Sequence, residues 1–280
     1  MTCRTLLVYL DNDPQCSLRV KMAIGLAQRL GAHLVGVAPT GLIDMSTSIE
    51  GASALADLAA SQWDMLKLDA AQTAAAFEAQ CRGAGLESFE AVCDAADRSA
   101  SLNQRATFSD LVIVGQADPH EAGYRGALQV LERHVMTSPR PTLVCPYVGG
   151  QGSVGDRVLV AWDGSREASR ALSDSIPALK MASVVKVACW AERGKPHDSD
   201  ARARMDALHG WLLRHGIDAE MLLESTKENV FEAILSRAAD WSSDLIVMGA
   251  HGHSRLSEML MGGASRGILA SMTVPVLLSR

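Results

Sequence analysis

The 280-residue sequence is poor in aromatic residues and has no excess of positive charge. Phe, Trp and Tyr together make up 4% of the chain, so it offers few platforms on which unpaired bases can stack. Lys and Arg number 26 against 32 Asp and Glu, which gives a formal net charge of −6. A protein that holds nucleic acid by its phosphate backbone needs the opposite balance. Nucleic acid is therefore not an expected partner.

Patterns for a zinc cage, a redox dithiol and a membrane span are also missing. The six cysteines are scattered without a Cys-x-x-Cys pair, so we expect them to be reduced and structural. The apolar run at residues 5–10 ends on acidic residues and is too short for a secretory signal or a membrane span. These absences predict a cytoplasmic protein without a membrane partner.

The chain contains one pattern twice. An apolar run that ends at Asp11 recurs as a run that ends at Asp163, and residues 110–115 and 141–145 recur as 244–249 and 275–279. The later pairs are 134 residues apart and the first pair 152, so the first copy holds 18 additional residues before Gly115. We place most of them in the Ala- and Ser-rich stretch 41–60. The length also favours two domains.

A glycine-rich segment, residues 149–155, separates the two copies. Four of its seven residues are glycine, a composition typical of a flexible linker. The sequence therefore predicts one domain over residues 1–148 and a second over residues 156–280.

Apolar runs alternate with helical patterns in both copies, which is typical of βαβ units and a parallel sheet. Strands are expected near residues 5–10, 33–38, 87–92, 110–115, 142–145, 157–162, 184–190, 218–223, 244–249 and 274–278. Helices are expected over residues 61–82, 167–180, 200–215, 229–239 and 263–271. The predicted fold class is α/β, with two tandem, doubly wound, Rossmann-like domains that each have a five-stranded parallel sheet.

In such a sheet, ligands bind beyond the carboxyl ends of the strands, where the strand order reverses. The segment after the fourth strand of the second copy carries Gly249, Gly252, Gly262 and Gly263. Glycines let a backbone approach a ligand closely, and the free N–H groups at a helix start favour an anion. This segment is therefore interpreted as a phosphate cradle. Asp163, at the end of the first strand, can accept hydrogen bonds from a base or a sugar.

The spacing Gly-x2-Gly-x9-Gly, together with a strand-end Asp, resembles the universal stress protein family over essentially the whole chain. The resemblance implies an adenine-nucleotide alpha hydrolase-like fold that binds ATP. Gly249, Gly252 and Gly262 match the three family glycines, and Asp163 matches the acid that contacts adenosine. The implied nucleotide-binding residues are Ala161, Asp163, Trp190, Met248, Gly249, Gly252, Gly262, Gly263, Ala264 and Ser265.

Two departures from the family pattern affect the expected site. Gly263 stands where the family prefers Ser or Thr, so one hydroxyl is lost, with about 1 kcal/mol of hydrogen bonding. In the first copy, Asp118 and Leu128 occupy the positions of Gly252 and Gly262, and only Gly115 is retained. The first copy is therefore predicted not to bind ATP in the family manner.

Structural interpretations stand beside these functional ones. Gly249 and Gly252 can form a simple turn, and Asp163 can hydrogen-bond the backbone of its own Asp-Gly-Ser turn. Ser165 is predicted to be a helix N-cap. His251 and His253 lack a carboxylate partner at a fixed spacing and are expected to be solvated or in contact with phosphate. The tryptophans are expected to pack in the core, with Trp190 the one placed to cover a purine.

The leading hypothesis is an ATP-binding stress-response or regulatory protein, with Mg²⁺ on the phosphates and no metal site of its own. The resemblance implies that the fifth strands of the two domains pair, and that two chains and an unidentified protein partner can associate. The sequence favours a binding protein over an enzyme, because we expect no P-loop lysine, no Gly-x-Ser-x-Gly nucleophile elbow and no positioned base. Two alternatives remain: a slow ATP hydrolase that uses a water near His251 or Ser265, and a scaffold for a non-nucleotide ligand.

Overall fold

The computed structural model describes residues 3–40, 53–121, 123–148, 154–191, 199–250 and 262–280, with residues 53–62 described as backbone only. These residues divide into two compact units. The N-terminal unit comprises Cys3–Gly115 and Thr137–Arg140, and the C-terminal unit comprises Gln116–Met136 and Pro141–Arg280. The last helix and strand of the first sequence copy therefore pack with the second copy.

The N-terminal unit contains a parallel sheet of four strands in the order β3-β2-β1-β4. Its elements, in chain order, are β1 (Thr5–Tyr9), α1 (Cys16–Leu30), β2 (His33–Pro39), α2 (Ser53–Gly83), β3 (Phe89–Asp94), α3 (Arg98–Ala106) and β4 (Leu111–Gly115). The chain runs outward from β1 to β3 and then returns to the other side of β1. A doubly wound sheet places its ligand crevice at such a reversal, here at the carboxyl ends of β1 and β4.

The C-terminal unit has six strands in the order β5-β10-β9-β6-β7-β8, and the pairing of β5 with β10 is antiparallel. Its elements are α4 (Tyr124–Thr137), β5 (Thr142–Cys145), β6 (Arg157–Ala161), α5 (Arg166–Leu179), β7 (Val184–Trp190), α6 (Ala201–Arg214), β8 (Glu220–Glu224), α7 (Val230–Asp240), β9 (Leu245–Gly249), α8 (Gly263–Ser271) and β10 (Val276–Ser279). The strand order reverses between β6 and β9.

The predicted α/β class and its mostly parallel sheets are confirmed, and α8 has the predicted bounds. The expected start of the long N-terminal helix was wrong, because α2 begins at Ser53 rather than near residue 61. It has 31 residues, whereas α6 in the second copy has 14. Alanine and leucine at positions 54–60 favour helix, so part of the insertion extends α2. Residues 41–52 of the expected insertion lie outside the described residues.

A carboxylate at the same place in each copy anchors the first strand. Asp110 accepts hydrogen bonds from the N–H groups of Arg4 and Thr5 at 2.7 and 3.0 Å. Asp244 accepts from the N–H groups of Asp156 and Arg157 at 3.0 and 2.9 Å. The start of each first strand is thereby fixed to the start of the neighbouring strand, so this repeated Asp is structural.

None of the helices in the described part of the chain combines the length and apolarity that a bilayer crossing requires. All six cysteines are free thiols, in agreement with the expectation from their spacing. The predicted linker lies mostly outside the described residues.

Candidate functional site

A cleft opens in the C-terminal unit at the carboxyl ends of β6 and β9, where the strand order reverses. The space between its walls is about 540 Å³, including the solvent at its mouth. Its walls come from the ends of three strands and from helices α5, α7 and α8. They consist of Ala161, Trp162, Asp163, Ala168, Trp190, Val230, Ile234, Met248, Gly249, Gly262, Ala264 and Ser265.

Most of the residues predicted to bind nucleotide meet in this cleft. They are Ala161, Asp163, Trp190, Met248, Gly249, Gly262, Ala264 and Ser265. Gly263 is an exposed residue at the start of α8 and is not among the lining residues. Gly252, His251 and His253 lie outside the described residues. The fold thus brings together predicted residues that are up to 104 positions apart in the sequence, from Ala161 to Ser265.

The start of α8 supplies the polar wall of the cleft. Gly262 is the N-cap, in an extended conformation with φ −65° and ψ 158°, and it has no side chain to cap the helix. The first turn contains no acidic residue. The first N–H groups of a helix lack intrahelical partners, and together with the helix dipole they favour an anion. The cleft wall at Gly262, Ala264 and Ser265 can therefore receive a phosphate or a carboxylate.

Ser265 borders the cleft but is almost completely buried. Its relative exposure is 1%, and its hydroxyl lies 3.5 Å from the carbonyl oxygen of Gly249, which can accept a hydrogen bond from it. This contact joins α8 to the end of β9. The expectation that no Gly-x-Ser-x-Gly pattern is present was wrong, because residues 263–267 match it. Since this serine lies inside a helix and is buried, it lacks the exposed strand-to-helix turn of a nucleophile elbow.

Asp163 lies at the mouth of the cleft and caps its own turn. Its Oδ1 accepts a hydrogen bond from the Ser165 N–H at 2.9 Å. This is the Asx turn that the sequence analysis gave as the structural alternative to a ligand-binding role for Asp163. Its Oδ2 has no hydrogen bond to any described residue. The Ser165 hydroxyl accepts from the Ala168 N–H at 3.1 Å, which confirms the predicted N-cap of α5. The turn therefore holds Asp163 in place through one carboxylate oxygen, and the other oxygen remains available to a ligand.

Gly249 has a structural reason to be glycine. A Cβ at this position would lie 2.5 Å from the backbone nitrogen of Ala168 and 2.7 Å from the carbonyl carbon of Glu167. Real Cβ atoms do not approach backbone so closely, so a side chain here would push α5 off the end of β9. The sequence argument attributed this glycine to close approach of a ligand, but the neighbour in the described residues is the first turn of α5.

The remaining walls of the cleft are apolar. Half-buried Trp190 ends β7, and Val230 and Ile234 lie one turn apart on α7. Trp162 is 9% exposed, and its indole nitrogen is buried without a hydrogen-bond partner among the described residues. Sequence reasoning missed Trp162, Ala168, Val230 and Ile234. The spacing of Val230 and Ile234 identified the buried face of a helix, and only the tertiary fold shows that this face borders a cleft.

Comparison with known proteins identifies the domain that carries this cleft. Residues 155–280 match the model described as the universal stress protein family. The C-terminal copy of the repeat is therefore a universal stress protein domain. A universal stress protein of Synechocystis sp. is 28% identical over 247 residues, which are 86% of this chain and 82% of the relative. The family assignment agrees with the resemblance carried by Gly249, Gly262 and Asp163.

Solved structures extend the likeness in fold to the whole chain. A universal stress protein from Archaeoglobus fulgidus superimposes with a TM-score of 0.71 at 18% identity, covering 100% of this chain and 99% of that protein. The cytoplasmic domain of a prokaryotic cation chloride cotransporter covers 99% of this chain, and 95% of that domain is matched, with a TM-score of 0.50 at 11% identity. At such identities the likeness concerns the fold alone, so the function must be argued from the cleft.

Proposed function

We propose that this protein binds ATP, with Mg²⁺ on the phosphates, in the cleft of its C-terminal unit. The bound nucleotide acts as a signal in the stress response by changing the conformation or the partner choice of the protein. Catalysis is not part of the proposal, because the buried Ser265 is not placed as a nucleophile. The partner is a protein whose identity the chain does not reveal.

One observation carries this proposal: the cleft joins an uncapped helix start to an apolar wall. The start of α8 at Gly262 suits the phosphates, since N–H donors and the helix dipole bind anions without basic side chains. Trp190, Met248 and Ile234 offer an apolar surface to the adenine ring. Asp163 lies at the mouth and offers a carboxylate oxygen to the ribose hydroxyls. A net charge of −6 is compatible with such a site, because its donors are backbone groups.

Gly263 offers a clean test of the anion-binding wall. A Cβ at this position meets no atom of the described residues within 4 Å, and Gly263 is exposed, so we expect a polar side chain to be tolerated there. Gly263→Asp places a negative charge in the first turn of α8, where it stabilises the helix but repels phosphate. We expect this variant to bind MgATP at least about tenfold more weakly, since one unfavourable charge contact of ~1.4 kcal/mol has that effect. Gly263→Asn is the matched neutral control and should retain affinity within about threefold.

The family hydroxyl can be restored at the same position. Gly263→Ser adds a hydroxyl donor in the first turn of α8, next to the lining residues Gly262 and Ala264. We expect about fivefold tighter MgATP binding, equivalent to one hydrogen bond of about 1 kcal/mol. Titration calorimetry gives affinity and stoichiometry, and the fluorescence of Trp162 and Trp190 reports occupancy of the cleft. Equal MgATP affinity in the Asp and Asn variants would contradict the placement of the phosphates at α8.

The two alternatives give different results in the same samples. If the protein is a scaffold for another ligand, MgATP neither raises its melting temperature nor changes its tryptophan fluorescence. If it is a slow hydrolase, ATP bound by the purified protein is converted to ADP, and phosphate is released steadily. The proposal expects ATP recovered intact from the denatured complex.

A further inference from the structure

The N-terminal unit holds a buried cation at its own crevice. Arg19 projects from α1, and only 1% of its side chain is exposed. A buried guanidinium is stable only when its charge and its N–H donors find partners. It donates hydrogen bonds at the carboxyl end of β1 and lies next to the end of β4.

Three features of the crevice contact this guanidinium. Arg19 donates from Nε to the carbonyl oxygen of Tyr9 at 2.9 Å and from Nη2 to Oδ1 of Asp11 at 2.6 Å. The guanidinium carbon lies 5.8 Å from the centre of the Tyr9 ring, within the range of a cation–π contact. A Cβ on Gly115 would collide with the guanidinium, so glycine at the end of β4 makes room for it.

These contacts fall where the C-terminal unit has its cleft. β1 lies beside β4 as β6 lies beside β9, and by the sequence repeat Asp11 and Gly115 correspond to Asp163 and Gly249. At the same offset of 152 residues as Asp11 and Asp163, the counterpart of Arg19 is Ala171, whose side chain cannot reach the strand ends. Next to Gly249 the backbone of the first turn of α5 takes the space, whereas next to Gly115 the guanidinium takes it.

We propose that the crevice of the N-terminal unit is a guanidinium site, which Arg19 occupies from within the same chain. A carboxylate, a carbonyl oxygen and an aromatic face recognise a planar cation, whereas the cleft of the C-terminal unit offers N–H donors to an anion. The two crevices of the chain therefore have opposite charge preference. The N-terminal unit keeps its crevice filled without any ligand.

Removal of the internal cation should leave a site for a free one. Arg19→Ala strands the Asp11 carboxylate, and we expect the melting temperature of the N-terminal unit to fall by about 10 °C. Guanidinium chloride at low millimolar concentration, compared with the same concentration of NaCl, should then raise the melting temperature saturably by several degrees. The wild-type protein, whose site is filled, should show no such rise. In Arg19→Ala/Asp11→Asn the rise should be lost, because the carboxylate that binds the cation is gone.

If the Arg19→Ala variant is unfolded when purified, it is refolded in guanidinium chloride and, separately, in NaCl at the same concentration. The yields of folded protein are then compared. Absence of specific rescue in both formats overturns the proposal. A second MgATP site in Arg19→Ala, seen as a stoichiometry of two instead of one, also overturns it, because the crevice would then prefer an anion. The guanidinium measurement involves no nucleotide, so its result is independent of whether the C-terminal unit binds ATP.

Discussion

His134 on α4 is fully buried, and this burial links stability to pH. Desolvation disfavours the charged imidazolium and lowers the pKa of His134 to about 4. The unfolded chain takes up the proton near pH 6.5, the ordinary histidine pKa, while the folded chain does not. Above pH 6.5 the protonation of His134 therefore does not reduce the free energy of unfolding. As the pH falls from 6.5 towards 4, it lowers that free energy progressively.

We predict that His134→Asn removes this part of the pH dependence. In the wild-type protein the free energy of unfolding should fall by about 1.4 kcal/mol per pH unit over this interval, about 3 kcal/mol in total, through this group alone. The variant will be less stable at pH 7.5 but should show a flatter profile down to pH 4. Urea unfolding at half-unit pH steps measures both profiles. His120→Asn, at an exposed position, is the control and should leave the wild-type slope.

At the level of elements, a glycine sets the distance between α7 and α8. A Cβ on Gly267 of α8 would lie 2.6 Å from the ring of Phe231 on α7. Phe231 directly follows Val230, which lines the cleft, so the two helices are held together next to the proposed nucleotide site. Close packing at this glycine therefore contributes to the shape of the cleft.

We predict opposite effects for the same substitution at two helical glycines. Gly267→Ala should lower the free energy of unfolding by about 1–3 kcal/mol, because the added methyl overpacks against Phe231. Gly25→Ala, inside α1, has no atom within 4 Å of the new Cβ and should raise it by about 0.5–1 kcal/mol. Chemical denaturation measures both. Phe231→Leu in the Gly267→Ala background should recover part of the loss; a double variant no better than Gly267→Ala would point to another cause.

Helices α4 and α8 are joined by an ion pair at equivalent repeat positions. Arg266 donates from Nε and Nη2 to the carboxylate oxygens of Glu132 at 2.7 and 3.3 Å, and the two residues are 134 positions apart, the offset of the repeat. In a symmetric pairing of identical copies, such a position faces itself and would bring like charges together. The two copies therefore carry opposite charges where they meet.

We predict that stability depends on opposite charges at positions 132 and 266, and not on which of the two positions carries the positive charge. Glu132→Arg and Arg266→Glu should each lower the free energy of unfolding by about 1 kcal/mol, since each creates a like-charge contact at a partly exposed site. The exchanged variant Glu132→Arg/Arg266→Glu should recover most of that loss. A double-mutant cycle in low and high salt provides the measurement, and a coupling that is absent or insensitive to salt would show that the pair is not electrostatic.

The elements of this fold were largely predictable because local patterns determine them. Parallel strands buried on both faces read as continuous apolar runs, as in β9, and their recurrence at a fixed offset identified the second copy. The start of α2 was misplaced because the Ala-rich insertion resembles a linker as much as a helix. The cleft was predictable only in part. Gly262 and Asp163 follow from the family pattern, whereas Val230 borders the cleft only because of the tertiary fold.

At the scale of the whole molecule, the two sequence copies meet in a strand pair whose register is two-fold symmetric. β5 and β10 pair antiparallel with Leu143 opposite Leu277, and these leucines are themselves equivalent repeat positions. Val144 and Thr142 then face Val276 and Leu278, so the register is symmetric about the leucine pair. The copies nevertheless differ in their crevices, because Arg19 fills one and the other is open. The expected nucleotide stoichiometry is therefore one per chain.

We predict that MgATP protects amide hydrogens in one unit only. A ligand that binds the folded C-terminal unit at 100 times its Kd stabilises that unit by about 2.7 kcal/mol, which slows exchange through its unfolding about 100-fold. Buried amides of β6 and β9 should show this slowing, while those of β1 and β4 in the N-terminal unit should exchange as without nucleotide. Hydrogen exchange followed by mass spectrometry resolves the two sets of peptides.

Gly263→Asp supplies the control for this experiment, because we expect it to weaken MgATP binding without altering the N-terminal unit. In that variant, the same nucleotide concentration should protect β6 and β9 about tenfold less. Equal protection of β1 and β4 in the wild-type protein would contradict the prediction, since it requires either a second nucleotide site or units that unfold only together. Calorimetric stoichiometry separates these two cases: two nucleotides per chain indicate a second site, and one indicates joint unfolding.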